Sequence, residues 1–289
     1  MMASVFQRRT SGSVVCPSCG NLVGVRDEKC YVCGRSNPGL WGFAPALRRL
    51  GADFGFASFV VGASSVLYVL SLLVSGNELT VAGRGLSLLA PGTRALILFG
   101  ASGALPLFAF GSWWTVLSAT WLHGGLLHIF FNMYWVRTLG PATADVVGPA
   151  RTVVIYTVSG ACGFFLSSFM GQLALPLPLI GGARLTIGAS GSIFGLLGAL
   201  VHYGRMSGSS LIRGQAVQYA TILFAAGLIM PGVDNLAHAG GFAGGYVASA
   251  FFNPLTRERG DHMVAAAVCL GATALAIAAS ILTGLSLYR

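Results

Sequence analysis

The sequence predicts an all-α polytopic membrane protein preceded by a small zinc-ribbon-like domain. Three observations predict it. Of 289 residues, 55% are hydrophobic and 9% charged, with a mean hydropathy of +0.76. A soluble domain carries about 25% charged residues, so this chain has too few charges to cover a water-facing surface. Seven apolar runs are long enough to cross a ~30 Å hydrocarbon core. Four of the six cysteines fall in two C-x-x-C pairs near the N-terminal end.

Residues 1–50 are polar and are read as a separate cytosolic segment. Met1 to Thr10 contain no apolar core, which predicts no secretory signal peptide. Cys16-Pro17-Ser18-Cys19-Gly20 and Cys30-Tyr31-Val32-Cys33-Gly34 form two C-x-x-C-G knuckles. The glycine after each pair lets the chain turn so that backbone N–H groups face the sulfurs. Four thiolates at this spacing suit tetrahedral zinc, and a site with four protein ligands and no open position is structural. The alternatives are disulfides, disfavoured in a reducing cytosol, and an iron site. Structural zinc supplies about 10–16 kcal/mol of apparent folding energy, which a segment with so little core needs. No cofactor is expected for catalysis.

Arg48-Arg49 marks a membrane border. Predicted spans follow at 56–75, 125–143, 151–170, 187–204, 213–230, 235–252 and 263–284. The stretch 94–110 is also apolar, but Gly100, Gly103 and Pro106 break it, with Gly111 just beyond; it reads as a long, partly immersed loop. Cys162 and Cys269 lie in spans and read as packing residues. The net charge of +9 invites a nucleic-acid reading. The basic residues instead occupy short loops and the N-terminal segment, as topology determinants do. With the N-terminus inside, Arg8, Arg9, Arg26, Lys29, Arg35, Arg48, Arg49, Arg137, Arg151, Arg205, Arg213, Arg257 and Arg259 lie inside. Only Arg84, Arg94, Arg184 and Arg289 lie outside. The imbalance predicts a cytoplasmic N-terminus and a multi-pass protein of the cell membrane.

Three spans then run from outside to inside. The second opens with His128 and Asn132, the fourth with Ser190 and the sixth with His238. Each residue lies within about two turns of the outer end, roughly 5–10 Å deep at 1.5 Å per residue, where water can reach. Ionisable groups at such depth are functional candidates. A serine hydroxyl needs an adjacent base to become a nucleophile, and His238 can supply it. The Ser190 backbone N–H, at a helix N-terminus, is one donor for an oxyanion; His128 and Asn132, at i and i+4, can supply others. Gly191, Gly195 and Ala199 form one small-residue ridge, and Ala237, Gly241 and Gly245 another. Such ridges let helices pack closely in lipid and would bring serine and histidine together. Phe194, on the Ser190 face, could pack on the His238 ring.

These residues resemble the rhomboid family of intramembrane serine proteases. The likeness rests on Trp113-Trp114, His123, His128-Ile129-Phe130-Phe131-Asn132, Gly140-Pro141, Gly188-Ala189-Ser190-Gly191 with Phe194-Gly195, and Ala237-His238 followed by Gly241 and Gly245. It covers about residues 56–252. The resemblance implies a six-helix core over 51–255 with an additional helix in 256–289. It also implies a Ser190–His238 dyad without a carboxylate, an oxyanion hole lined by His128 and Asn132, and single-span membrane proteins as substrates. It further implies an Arg–Glu pair where this chain has Thr115 and Ala144. Losing both charges costs far less than stranding one, so the chain reads as a compensated variant.

Other readings stand beside this one. A metalloprotease built on His123, His128 and His238 would lack the HExxH glutamate. A transporter would show paired repeats or intramembrane acids. A non-catalytic rhomboid-like chaperone or binding protein would lack the serine or histidine that this chain keeps. His123 reads as loop-shaping. Asp234 reads as a helix start, with a third catalytic member as the sharper alternative. The N-terminal segment would serve a cytosolic partner or a substrate tail. Nucleic acid is not an expected partner; the bilayer is.

Overall fold

A computed structural model describes residues 8–83, 85–173 and 181–287. Strands β1 (Ser13–Val15) and β2 (Leu22–Gly24) pair antiparallel, Val14 opposite Val23. Val14, Val23 and Val25 pack with Cys16 and Cys30 as the segment's small core. The knuckle glycines turn the chain after each cysteine pair. Gly20 (φ +76°) and Gly34 (φ +70°) are left-handed, and their N–H groups return to the carbonyls of Cys16 and Cys30 at 3.0 and 2.8 Å. A short α1 (Ala44–Arg49) leads to α2 (Phe56–Val74).

The stretch after α2 does not span. It breaks into α3 (Thr93–Leu98), a π-turn at Leu105–Ala109, α4 (Thr115–Ser118) and a 3-10 turn at Ala119–Trp121. Gly100 and Gly103, at φ +100° and +129°, end the helical path. Its backbone groups pair instead with the segment that precedes the serine. Ser102 and Thr186 exchange hydrogen bonds of 3.1 and 2.7 Å, and Ala104 and Leu105 donate to the carbonyls of Ala183 and Arg184. This satisfies buried main-chain groups that lipid could not.

The remaining helices are α5 (Leu126–Val147), α6 (Pro149–Leu173), α7 (Ser190–Ser207), α8 (Ser210–Ile229), α9 (Asn235–Phe252) and α10 (Gly260–Leu287). With α2 they match the seven predicted spans. Three helical stretches, Phe56–Val74, Pro149–Leu173 and Gly260–Ser286, are apolar and long enough to cross a membrane by length and composition. Of the others, α7 is buried over most of its length, whereas Gln215 and Gln218 of α8 are exposed.

Helix α7 is buried on nearly every face and packs against α5, α6, α8 and α9. The predicted ridges dock in parallel. A Cβ on Gly191 would lie 3.3 Å from the Ala237 carbonyl oxygen. One on Gly195 would lie 3.2 Å from the Gly241 oxygen, and one on Gly241 or Gly245 would overlap the oxygens of Gly191 or Gly195. Helix α6 approaches α9 as closely, since a Cβ on Gly240 would lie 3.0 Å from the Gly163 Cα. Helix α10 packs outside α6 and against α3 and α4.

At the far ends of α5 and α9 the cysteine segment docks. The Arg35 side chain, which follows the second knuckle, is buried and reaches Glu258 (3.8 Å) and the Met263 sulfur (2.7 Å). Ser18 Oγ donates to the Glu258 carbonyl. Glu258 Oε1 accepts from the Arg151 backbone N–H at 3.0 Å, capping α6. The Arg151 guanidinium donates to the carbonyls of Val147, Thr256 and Arg257. Arg35 and Arg151, counted above among the inside charges, are therefore buried rather than facing solvent. Burial pushes the Glu258 carboxyl up, against the pull of the Arg151 N–H and the neighbouring guanidinium groups.

Candidate active site

The serine lies where the loop segment enters α7. Gly188 (φ +122°) donates its N–H to the Ala119 carbonyl at 2.9 Å, and Ser190 is the first residue of the helix. A Cβ at position 188 would sit 2.7 Å from His128 Nε2, so only glycine lets the imidazole edge approach this backbone. His128 Nδ1 accepts from the Gly124 N–H at 3.2 Å. That bond leaves the proton on Nε2 and aims an N–H donor at the start of α7. One turn on, buried Asn132 donates Nδ2–H to the His128 carbonyl at 2.8 Å. Its second amide N–H stays free for another acceptor.

His238, in the first turn of α9, stacks on Phe194 with ring centroids 4.3 Å apart and planes 15° from parallel. Phe194 meets Phe224 of α8 edge-on at 6.4 Å. The ring is thus held flat by packing. Its Nδ1 is buried without a hydrogen-bond partner. Among the described residues no hydrogen bond joins Ser190 to His238; such contacts are often long in resting enzymes and tighten with substrate. Ser190 and His128 are partly exposed while Asn132 and His238 are buried. The site therefore opens on one side.

Asp234 is a helix cap. Its Oδ1 accepts from the Ala237 N–H at 3.0 Å and its Oδ2 from Ser167 Oγ at 2.6 Å. Among the described residues no hydrogen bond joins its carboxylate to the His238 ring, whose Nδ1 has no partner, so in this structure Asp234 caps the helix and does not orient the ring. Buried His123 packs edge-on against His128 at 5.2 Å. At the two positions where the resemblance implies an Arg–Glu pair, this chain holds the neutral residues Thr115 and Ala144. Thr115 bonds Ser112 and Ser102 near the serine segment. Ala144 lies in the last turn of α5, roughly 24 Å along the helix from His128 at 1.5 Å per residue.

The four Sγ atoms of Cys16, Cys19, Cys30 and Cys33 lie within 4.8 Å of one another, with Cys16–Cys33 at 3.8 Å and Cys19–Cys30 at 3.6 Å. Zn–S bonds of about 2.3 Å in a tetrahedron place sulfurs about 3.8 Å apart, so the cluster can hold a metal ion. Burial pushes the Cys16 thiol up to about 12. Burial also acts on Cys19, but hydrogen bonds from Asn21 and the neighbouring cysteines draw it down to about 6. Cys162 and Cys269 are free thiols elsewhere. A cavity of about 620 Å³ lies between Pro17 and Ser18 of the cysteine segment and Arg48, Asp145 and Arg257. It contains none of the candidate catalytic residues.

Sequence reasoning missed Arg35, Glu258 and Arg151 as a buried cluster. It also missed a bond from Trp114 Nε1 to Ser280 of α10 at 3.0 Å. Neither has a local signal, because the partners are more than a hundred residues apart.

Fold and site together define a polytopic membrane protein with a serine and a histidine at one end of a tightly packed helix pair. The Rhomboid domain family model matches residues 110–255, half of the chain, and the chain belongs to the rhomboid family. It is similar to RHOMBOID-like protein 4 of Arabidopsis thaliana, 30% identical over 55% of this chain and 39% of that protein. It is also similar to Rhomboid protease GluP of Bacillus subtilis, 32% identical over 55% of this chain and 29% of that protein. Putative rhomboid protease YdcA of the same bacterium is 28% identical over 48% of this chain and 67% of its own length. The match thus spans well under half the length of the first two relatives.

Proposed function

We propose that this chain is an intramembrane serine endopeptidase that cleaves single-span membrane proteins near the outer boundary of the bilayer. The observation that carries the reading is the His238–Phe194 stack on a helix seated through glycines against the helix that Ser190 opens. Ser190 Oγ attacks the scissile carbonyl carbon while His238 Nε2 takes its proton. The Ser190 N–H, His128 Nε2–H and Asn132 Nδ2–H receive the oxyanion, each such donor being worth about 2.7–4 kcal/mol of barrier. Collapse expels the amine, which takes the proton from His238 and leaves an acyl-serine. Water, activated by the same imidazole, then frees the enzyme.

The N-terminus lies on the cytoplasmic side in this reading, in the cell membrane. Residues 1–50 are a zinc-holding unit, 51–255 the protease core and 256–289 an additional helix. The zinc is structural: the cysteine segment docks at the end of α5 and α9 opposite the candidate site, too far away for its metal to touch substrate. GluP is named as a protease, which supports peptide hydrolysis over a binding role.

The test is cleavage of a tagged single-span protein in proteoliposomes, together with fluorophosphonate labelling. Wild type should cleave and label. Ser190→Ala should lose both, and His238→Ala should lose at least 10³-fold in rate, as dyads do when either member goes. Cleavage that survives Ser190→Ala would end the serine mechanism. A folded wild type that resists the label would favour a binding protein.

A further inference from the structure

We propose that Ser280 of α10 is a positioning residue for Ser190, so that the seventh long helix braces the active-site segment as well as crossing the membrane. The inference rests on the reading of Ser190 as nucleophile. Ser280 is buried, and its hydroxyl is used twice: it donates to the Ala276 carbonyl at 2.9 Å and accepts from Trp114 Nε1 at 3.0 Å. The Trp114 bond ties α10 to the loop beside α4. A second contact lies one strand of the loop away, where a Cβ on Gly100 would fall 2.5 Å from Ser280 Oγ. One turn further along α10, a Cβ on Gly284 would lie 3.0 Å from the Leu98 Cα. Small residues at 280 and 284 therefore let the loop backbone lie directly on α10.

Both loop strands that α10 touches hold the approach to the serine. Ser118 Oγ clips them together through the Gly100 carbonyl at 2.7 Å. Two residues beyond Gly100, Ser102 exchanges its paired bonds with Thr186. One residue beyond Ser118, the Ala119 carbonyl receives the Gly188 N–H. Thr186 and Gly188 are thus fixed from two sides, and Ser190 follows two residues later. A helix serving as a plain anchor needs no buried hydroxyl at this point and no close approach to a polar loop. Lipid-facing residues such as Val264, Val268, Leu275 and Leu282 already cover the outer face of α10.

The experiment compares Ser280→Leu, Ser280→Ala and Ser280→Thr in the full chain in nanodiscs, well below the unfolding temperature. Two readouts are taken: amide hydrogen exchange at Thr186 and Gly188, and the rate of fluorophosphonate labelling at Ser190. Ser280→Leu should speed exchange at both amides at least tenfold and slow labelling at least tenfold. Ser280→Ala should do both by a few fold, and Ser280→Thr, which keeps the hydroxyl, should match wild type. Wild-type exchange in folded Ser280→Leu or Ser280→Ala overturns the brace whatever the chemistry. Faster exchange with unchanged labelling overturns the positioning role. Should Ser280→Leu fail to fold, Ser280→Ala carries the comparison. An unlabelled wild type counts against Ser190 as nucleophile, and so against positioning, while exchange still reports on the brace separately.

Discussion

At the scale of the residue, the site depends on missing side chains as much as on present ones. Gly188 lets the His128 imidazole reach the entry to α7, and Gly241 lets α9 rest its backbone on the Gly191 carbonyl. The obstruction at Gly241 is main chain, which cannot swing aside as a side-chain tip can. Gly241→Ala should therefore cost about 1–3 kcal/mol of stability as overpacking and slow Ser190 labelling. Gly241→Val should abolish labelling and cleavage while the protein still inserts. A folded Gly241→Val protein with full activity would refute close packing as the device that sets the dyad. The chemistry-bearing types were readable from sequence: serine, two histidines and an asparagine at one depth in apolar segments. The Phe194 stack followed from helical spacing. The role of Asp234 did not, because a cap and a third catalytic member share one local sequence; the unpartnered His238 Nδ1 beside the Ala237 cap bond separates them.

At the scale of the element, the cysteine segment and the long helices have different sources of order. The helices are ordered by main-chain bonding and mutual burial, which lipid enforces. The cysteine segment has two three-residue strands and three buried valines as its apolar core, far too little to offset its conformational entropy. A metal ion held by the four sulfurs, which lie within 4.8 Å of one another, would supply the missing contribution. Removal of zinc by a strong chelator should make Cys16, Cys19, Cys30 and Cys33 react with a maleimide. Helix content and Ser190 labelling should persist. Slow labelling of those cysteines after complete zinc loss would show that the segment folds without metal. The broken stretch 94–110 was also legible, since two glycines and a proline in so short a run cannot make a span. Its hydrogen-bond partners at 183–186 were not, since nothing local marks them.

At the scale of the whole molecule, a buried charge cluster joins the cysteine segment, the α9–α10 linker and the start of α6. Arg35 and Glu258 are among its least exposed members, with side chains 1% and 4% accessible. Arg35 Nε and Glu258 Oε2 have no hydrogen-bond partner, so the contact is a charge pairing of modest geometry. Truncating one member leaves the other buried and uncompensated, a loss on the order of 3 kcal/mol. Arg35→Met should thus lower the thermal midpoint and speed amide exchange at 253–259 while zinc stays bound. The double variant Arg35→Met, Glu258→Gln should recover part of the midpoint, because neither member of the pair is left charged against a missing partner. A single variant as stable as wild type would reduce the cluster to a passive contact.

The sequence by itself determined the class of fold, the seven long helices, the tetrahedral set of cysteines and the residues to suspect. These follow from one-dimensional rules: the length that crosses lipid, the sign of loop charges, the spacing of thiols, and the depth of a polar residue within its own helix. The tertiary structure decided the rest. It assigned Asp234 to a cap, buried Arg35 and Arg151 with Glu258, and laid α10 against the loop that leads to Ser190. Each of these is a contact between residues far apart in sequence. Such a contact is set by how helices seat on one another, and no local pattern encodes the partner.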